Sequence, residues 1–108
     1  MAEWVDAGAV ADLPPGKKKC VEVGAWMVAL VNLDGTLHAI DNDCPHRGGP
    51  LSSGDLMGSE LWCPLHAWPF DVRTGRCTLF TEAQVRVFDV RVEEGRILVA
   101  TEGRFSAD

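Results

Sequence analysis

Two short segments constrain this chain more than anything else in it: Cys44-Pro45-His46-Arg47-Gly48-Gly49-Pro50-Leu51 and Cys63-Pro64-Leu65-His66-Ala67-Trp68-Pro69-Phe70. Each offers one thiol and one imidazole, and sixteen residues separate His46 from Cys63. The prolines remove backbone donors and fix the local path, while Gly48 and Gly49 allow close backbone approach or positive φ. Both loops are therefore built to be stiff and to fold around something. Cys44, His46, Cys63 and His66 make a set of four ligands. A structural zinc ion takes such a set in a tetrahedron, although zinc pairs usually have two or more intervening residues and Cys44 and His46 have one.

The surroundings of the two loops read as β-structure. Trp26 to Asn32 is dominated by apolar and β-branched residues, Asp34-Gly35 supplies a tight turn, and Thr36 to Ile40 resumes with alternating character, which predicts a hairpin. Valines at 85, 87, 90 and 92 keep a period of two with one slip at Phe88-Asp89. A strand over Val85 to Val92, a Glu94-Gly95 turn and a strand over Arg96 to Ala100 then form a second hairpin. Shorter strands are expected at Lys19 to Val23, Glu60 to Cys63 and Phe70 to Val72, and no stretch sustains a helical period. Residues 42–81 hold four of the six prolines and five of the eleven glycines, so a site is expected in this loop-rich stretch between the hairpins.

At 108 residues, 46% of them hydrophobic, the chain is long enough to bury one core. One domain over 1–108 is expected, with a loop-rich part of about 42–81 inserted in a β base of about 3–41 and 82–102. Ten Lys and Arg against sixteen acids give a net charge of -6, which argues against nucleic acid and suits a basic partner. The only basic run, Lys17 to Lys19, reads as a solvated loop before a strand. No apolar run approaches the ~18 residues of a membrane span, and Met-Ala-Glu-Trp-Val-Asp lacks the flank and apolar stretch of a secretion signal. A cytoplasmic protein without membrane contact is expected, where thiols stay reduced and ligate rather than pair. Cys20 and Cys77 lie outside both loops and read as buried free thiols. His38 alternates with apolar neighbours and reads as a structural or surface histidine. Asp41 and Asp43 read as a hairpin-to-loop junction whose charge can steer a basic partner.

The pattern Cys-x-His, sixteen residues, Cys-x-x-His resembles the Rieske iron–sulfur family, and the resemblance runs over roughly residues 3 to 100. It implies an all-β fold, a small antiparallel β-sandwich or barrel with a loop-rich cluster-binding subdomain, and one [2Fe–2S] cluster. Carried onto these positions, it makes Cys44 and Cys63 the ligands of one iron and His46 and His66, through Nδ1, the ligands of the other. Mixed ligation leaves the oxidised centre neutral where four thiolates would leave it dianionic. Such centres accordingly lie at ~ -150 to +300 mV, against ~ -400 mV for four-cysteine ferredoxins.

Respiratory members of the family supply hydrogen bonds to the sulfurs from a Ser and a Tyr where this chain has Trp68 and Phe70. They also lock their loops with a disulfide where it has Gly49 and Leu65. The resemblance thus implies the low-potential end of the range. Trp62 and Trp68 flank the second loop and are expected to cover the cluster, and Arg47 is expected at the exposed tip. Many relatives carry a proline in a third loop over the cluster, whereas Thr81-Glu82-Ala83-Gln84 has none.

An oxygenase of this family needs a second iron held by two His and a carboxylate, and once His46 and His66 are used only His38 remains. A glycine-rich phosphate loop is absent as well. The expected role is therefore not that of an enzyme. The chain resembles the ferredoxins of bacterial aromatic-ring dioxygenase systems, which implies one-electron transfer from a flavoprotein reductase to a terminal oxygenase. The alternative is the small subunit of an NADH-dependent sirohaem nitrite reductase, bound to its large subunit; a structural zinc module is more remote.

Overall fold

The computed structural model describes residues 3–43, 50–64, 68–80 and 83–105. Nine strands are described: β1 Trp4–Ala9, β2 Lys18–Val23, β3 Trp26–Leu33, β4 Thr36–Asp41, β5 Leu56–Met57, β6 Glu60–Trp62, β7 Pro69–Asp71, β8 Val87–Glu93 and β9 Arg96–Arg104. Six of them form one antiparallel sheet in the order β1-β9-β8-β4-β3-β2, and β5-β6-β7 form a second. The edges β1 and β2 curl into contact, so the large sheet almost closes into a barrel. At Gly8 of β1 the approach is so close that a Cβ would come within 2.6 Å of Lys19 Nζ.

Both expected hairpins are present. The β3–β4 turn places Asp34 at φ 52° and Gly35 at φ 95°, and the β8–β9 turn places Glu94 at 51° and Gly95 at 77°. These are the doubly left-handed turns whose twist matches that of antiparallel strands. The slip expected at Phe88-Asp89 is a shift of register between Phe88 and Val90 against β9. The second hairpin starts later than its valine pattern suggests, at Val87. Val85 is drawn aside instead, its N–H bonded to the Gly75 carbonyl at 2.7 Å. Its partner strand runs on to Arg104, which pairs with Val87. Strand β1 and the two-residue β5 were not legible; β1 is interrupted by polar Asp6 and by Gly8, and β5 is too short to set a period.

Alternation along β3 divides the core. Val28 and Leu30 face a cluster inside the barrel with Leu13, Ala39, Phe88, Ile97 and Val99. Ala29 and Val31 face outward into a second cluster, where Ile40, Leu51, Leu61, Phe70 and Val72 bind the small sheet onto the barrel wall. Cys77 belongs to this second cluster and is buried, as expected. Cys20 corrects the expectation: it is exposed. It lies on the edge strand β2, where Val23 points to the core and Cys20 and Glu22 take the outward phase.

One buried polar side chain ties the first hairpin to the rest. Asn32 donates from Nδ2 to the Leu13 carbonyl and accepts the Gly35 N–H at Oδ1, both at 2.8 Å. Its removal strands both partners. We expect Asn32→Ala to lose ~1–3 kcal/mol in urea unfolding, while Asp34→Gly, at a positive φ that glycine accepts, stays close to the wild type.

Candidate functional site

Both cysteine–histidine loops leave the fold from stapled stems. Before the first loop, Asp43 forms an antiparallel bridge with Pro50 beyond it. One residue further out, Asn42 accepts the Leu51 N–H on its carbonyl at 2.7 Å and the Ser52 N–H on Oδ1 at 2.8 Å, and it donates its own N–H to Met27 at 2.9 Å. Asn42 is buried, so these bonds form away from water and are costly to lose. The second loop springs from β6 and returns in β7. Trp62 pairs with Pro69, and the Cys63 N–H bonds the Trp68 carbonyl at 2.9 Å.

The two stems are packed on each other. The chain leaving the first loop passes through a short 3-10 turn, Leu51–Ser53, and presses Gly54 onto β6. A Cβ at Gly54 would lie 1.7 Å from the Trp62 carbonyl oxygen, the residue immediately before Cys63. Trp62 N–H also bonds the Asp55 carbonyl at 3.0 Å, and Lys18 Nζ reaches from β2 to the Ser52 carbonyl at 2.9 Å. Gly54 has an ordinary φ of -80°, so it is required here for space and not for its backbone freedom.

Cys63 is therefore the one expected ligand among the described residues, buried to 1% exposure beside Leu61 and Phe70. Cys44, His46 and His66 lie outside the described residues, as do Arg47, Gly49, Leu65, Thr81 and Glu82. Among the described residues no group of three or more His, Cys, Asp or Glu could hold a metal ion. Thiolate and imidazole are soft and borderline donors, which suit an iron–sulfur centre. A buried thiol at the foot of a stapled loop meets the further need for a rigid, water-poor ligand.

The neighbouring side chains fall as follows. Trp62 borders a cleft with Ser53, Asp55, Met57, Cys63 and Pro64, and its indole N–H is buried without a hydrogen-bond partner among the described residues. Trp68 packs against Phe80, ring centroids 4.6 Å apart and planes tilted by 44°. Asp41 is half-buried; burial raises its carboxyl above the usual range, and the Asp43 N–H bonded at 3.0 Å to its Oδ1 opposes that. His38, read as a structural or surface histidine, is half-buried on β4. Burial lowers its pKa, and Asp71, whose own burial is outweighed by its bonds from Arg73, pulls in the opposite direction. The sequence did not single out Asn42 or Gly54, because neither residue type carries a signal of its role. Asn42 reads as one more polar residue between two aspartates, and Gly54 as a turn glycine.

An almost closed antiparallel barrel with a small second sheet, on which the stems of both Cys/His segments are stapled together, defines a β-protein of the cluster-holding class. The chain belongs to the Rieske [2Fe-2S] domain family, which matches residues 3–100. Its cofactor is accordingly one [2Fe–2S] cluster. The chain is 37% identical over 101 residues to the ferredoxin component of the naphthalene 1,2-dioxygenase/salicylate 5-hydroxylase systems of Ralstonia sp, covering 92% of this chain and 96% of that one. It superposes on the ferredoxin of carbazole 1,9a-dioxygenase from Nocardioides aromaticivorans IC177 with a TM-score of 0.86 and 36% identity, covering 92% and 98% of the two chains. A Mycobacterium tuberculosis protein described as a candidate NADH-dependent nitrite reductase small subunit gives 0.83 and 33%, covering 93% and 96%. The ferredoxin components among these are electron carriers of oxygenase systems.

Gly54 is the test of the stem packing. Gly54→Ala forces a methyl group into a backbone carbonyl, and we expect a loss of ~1–3 kcal/mol with iron per chain well below that of the wild type. Full iron content and an unchanged unfolding midpoint would mean that the stems are not held together here.

Proposed function

We propose that this chain is a one-electron carrier of low potential that passes electrons from a flavoprotein reductase to a terminal oxygenase. The observation that carries this reading is similarity over nearly the whole of a ferredoxin component, 96% of its length. We assign Cys44 and Cys63 to one iron and His46 and His66 to the other. The resident cluster supplies a single-electron couple, placed above that of four-thiolate centres by its smaller negative charge.

The protein's part is to hold and bias that couple. Stapled stems fix the ends of both ligand-bearing loops, and a rigid mount of this kind keeps reorganisation between redox states small. Phe70 is wholly buried in the core between the sheets and has no hydroxyl, and Trp68 has none either, so neither supplies the O–H donors that raise the potential of respiratory members. Asp41, Asp43 and Asp55 add negative charge around the loop stems and disfavour a further electron. These features together favour the low end of the family range. We further read 42–81 as the cluster-binding part of a single domain and the cytoplasm as its compartment. No helix among the described residues is long and apolar enough to cross a membrane.

A second reading, the small subunit of a sirohaem nitrite reductase, is favoured by the likeness to the Mycobacterium tuberculosis protein. Fractionation of native-host extract by size, followed by antibody and visible spectra, separates the two. Elution as a small iron–sulfur-coloured species is the outcome expected of a free carrier. Co-elution with a large sirohaem-containing protein would replace it by the subunit.

A further inference from the structure

The third loop carries an apolar feature that the electron-carrier reading does not explain. Beyond β7 the chain turns back and runs antiparallel to it. The Asp71 N–H bonds the Arg76 carbonyl, Cys77 bridges Phe70, and the Thr78 N–H bonds the Pro69 carbonyl. Continuing that register by one residue brings Leu79 level with Trp68, at the stem of the loop that follows Cys63, with Phe80 next in the chain. Phe80 packs on Trp68 with ring centroids 4.6 Å apart and planes tilted by 44°, which places it beside that stem.

The loop is then closed on itself. Cys77 N–H bonds the Ala83 carbonyl, Ala83 N–H bonds the Phe80 carbonyl, both at 2.9 Å, and the Phe80 N–H bonds Cys77 Sγ at 3.3 Å. At its apex Leu79 is 61% exposed and Phe80 41% exposed. Elsewhere, exposed Phe105 is covered on its ring face by the Arg86 guanidinium at 4.4 Å. Two adjacent large apolar side chains held out by a stapled turn are preorganised, so little entropy is lost if they enter a pocket. Exposed acids stand at the same end of the molecule: Asp43 at the first stem and Asp55 at the cleft beside Cys63, with Glu60 bonded by Thr78 Oγ1 at 2.5 Å on the flank.

We propose that Leu79 and Phe80 form the apolar anchor by which this chain docks on its electron acceptor, seating in an apolar depression rimmed by Lys and Arg. The proposal rests on the electron-carrier reading. It assigns specificity to the third loop and steering to the acids around it, so affinity and encounter rate are separable. The seat lies beside the loop that follows Cys63, which brings the acceptor close to the cluster end.

The test uses the holoprotein, reduced with dithionite and freed of excess reductant. It is mixed in stopped flow with the oxidised terminal oxygenase of carbazole 1,9a-dioxygenase from Nocardioides aromaticivorans IC177. Leu79→Ser is the primary variant, because its side chain is mostly in water and its loss leaves the Phe80–Trp68 contact in place; Leu79→Ser/Phe80→Ser is the second. The expected result is a fall of ~10-fold or more in the second-order rate for Leu79→Ser, with a raised half-saturating concentration, an unchanged limiting rate, and unchanged potential and EPR spectrum. Added salt should slow the wild type and both variants by the same factor. Rates within twofold of the wild type for both variants would overturn the proposal. It would equally be overturned if Leu79→Ser turned a self-associated protein into a monomer without altering electron transfer, since the anchor would then serve a second copy. Wild-type protein that leaves the oxygenase oxidised would instead remove the oxygenase-donor reading, and the proposal with it.

Discussion

The contact between Gly54 and the Trp62 carbonyl is the point on which the cluster end depends. The two Cys/His loops are far apart in sequence and start from different sheets: the first leaves β4 of the barrel, the second leaves β6 of the small sheet. Only where the segment leaving the first loop lies flat on β6 do they share one foundation. A side chain at residue 54 would hold the two backbones apart. Asn42 then fixes the first stem to the turn at Leu51–Ser53, and the Cys63–Trp68 bond fixes the second. Each stem bond is worth on the order of 1 kcal/mol, and their joint effect is to hold the ends of both loops on one rigid mount.

The shared core explains how this mount is kept dry. Ala29 and Val31 of β3 face out of the barrel toward Leu61, Phe70 and Val72, so a single strand is buried on both faces. Cys63 stands at the end of that outer cluster. Burial excludes water from Cys63, and the acids Asp41, Asp43 and Asp55 lie at the stems. The electron-transfer chemistry is thus biased by packing and fixed charge, while the barrel interior contributes rigidity. Arg86 reinforces the sheet beside the first stem: its carbonyl accepts the Asp41 N–H at 2.9 Å, and its guanidinium lies 5.5 Å from the Trp26 ring and 4.4 Å from that of Phe105.

Much of this was legible in the sequence because the signals were local. Asp34, Gly35 and Gly95 have the left-handed turn conformations that their residue types favour, with Glu94 drawn into the same turn geometry beside Gly95, and the valine slip at Phe88-Asp89 announced a real change of register. Family membership and the [2Fe–2S] cofactor followed from two loops whose spacing is itself specific. The illegible parts are those set by contacts across the chain. Gly54 is needed because of a carbonyl eight residues away, Asn42 because of a turn that has no pattern of its own, and Val85 leaves its strand because Gly75 captures its N–H. Cys20 was misplaced for a similar reason, since which phase of β2 faces inward is decided by its neighbour β3 and not by the cysteine.

The chain has three histidines, which makes the ligand assignment open to one direct measurement. In His38→Gln protein grown on nitrogen-15 histidine, only His46 and His66 remain, and His38 is half-buried on β4 away from the loop stems. Pulsed EPR of the dithionite-reduced variant should display two strong nitrogen-15 couplings of directly bound imidazole. A reduced [2Fe–2S] signal with no such couplings would contradict the assignment of His46 and His66, and with it the account of how this chain sets its potential.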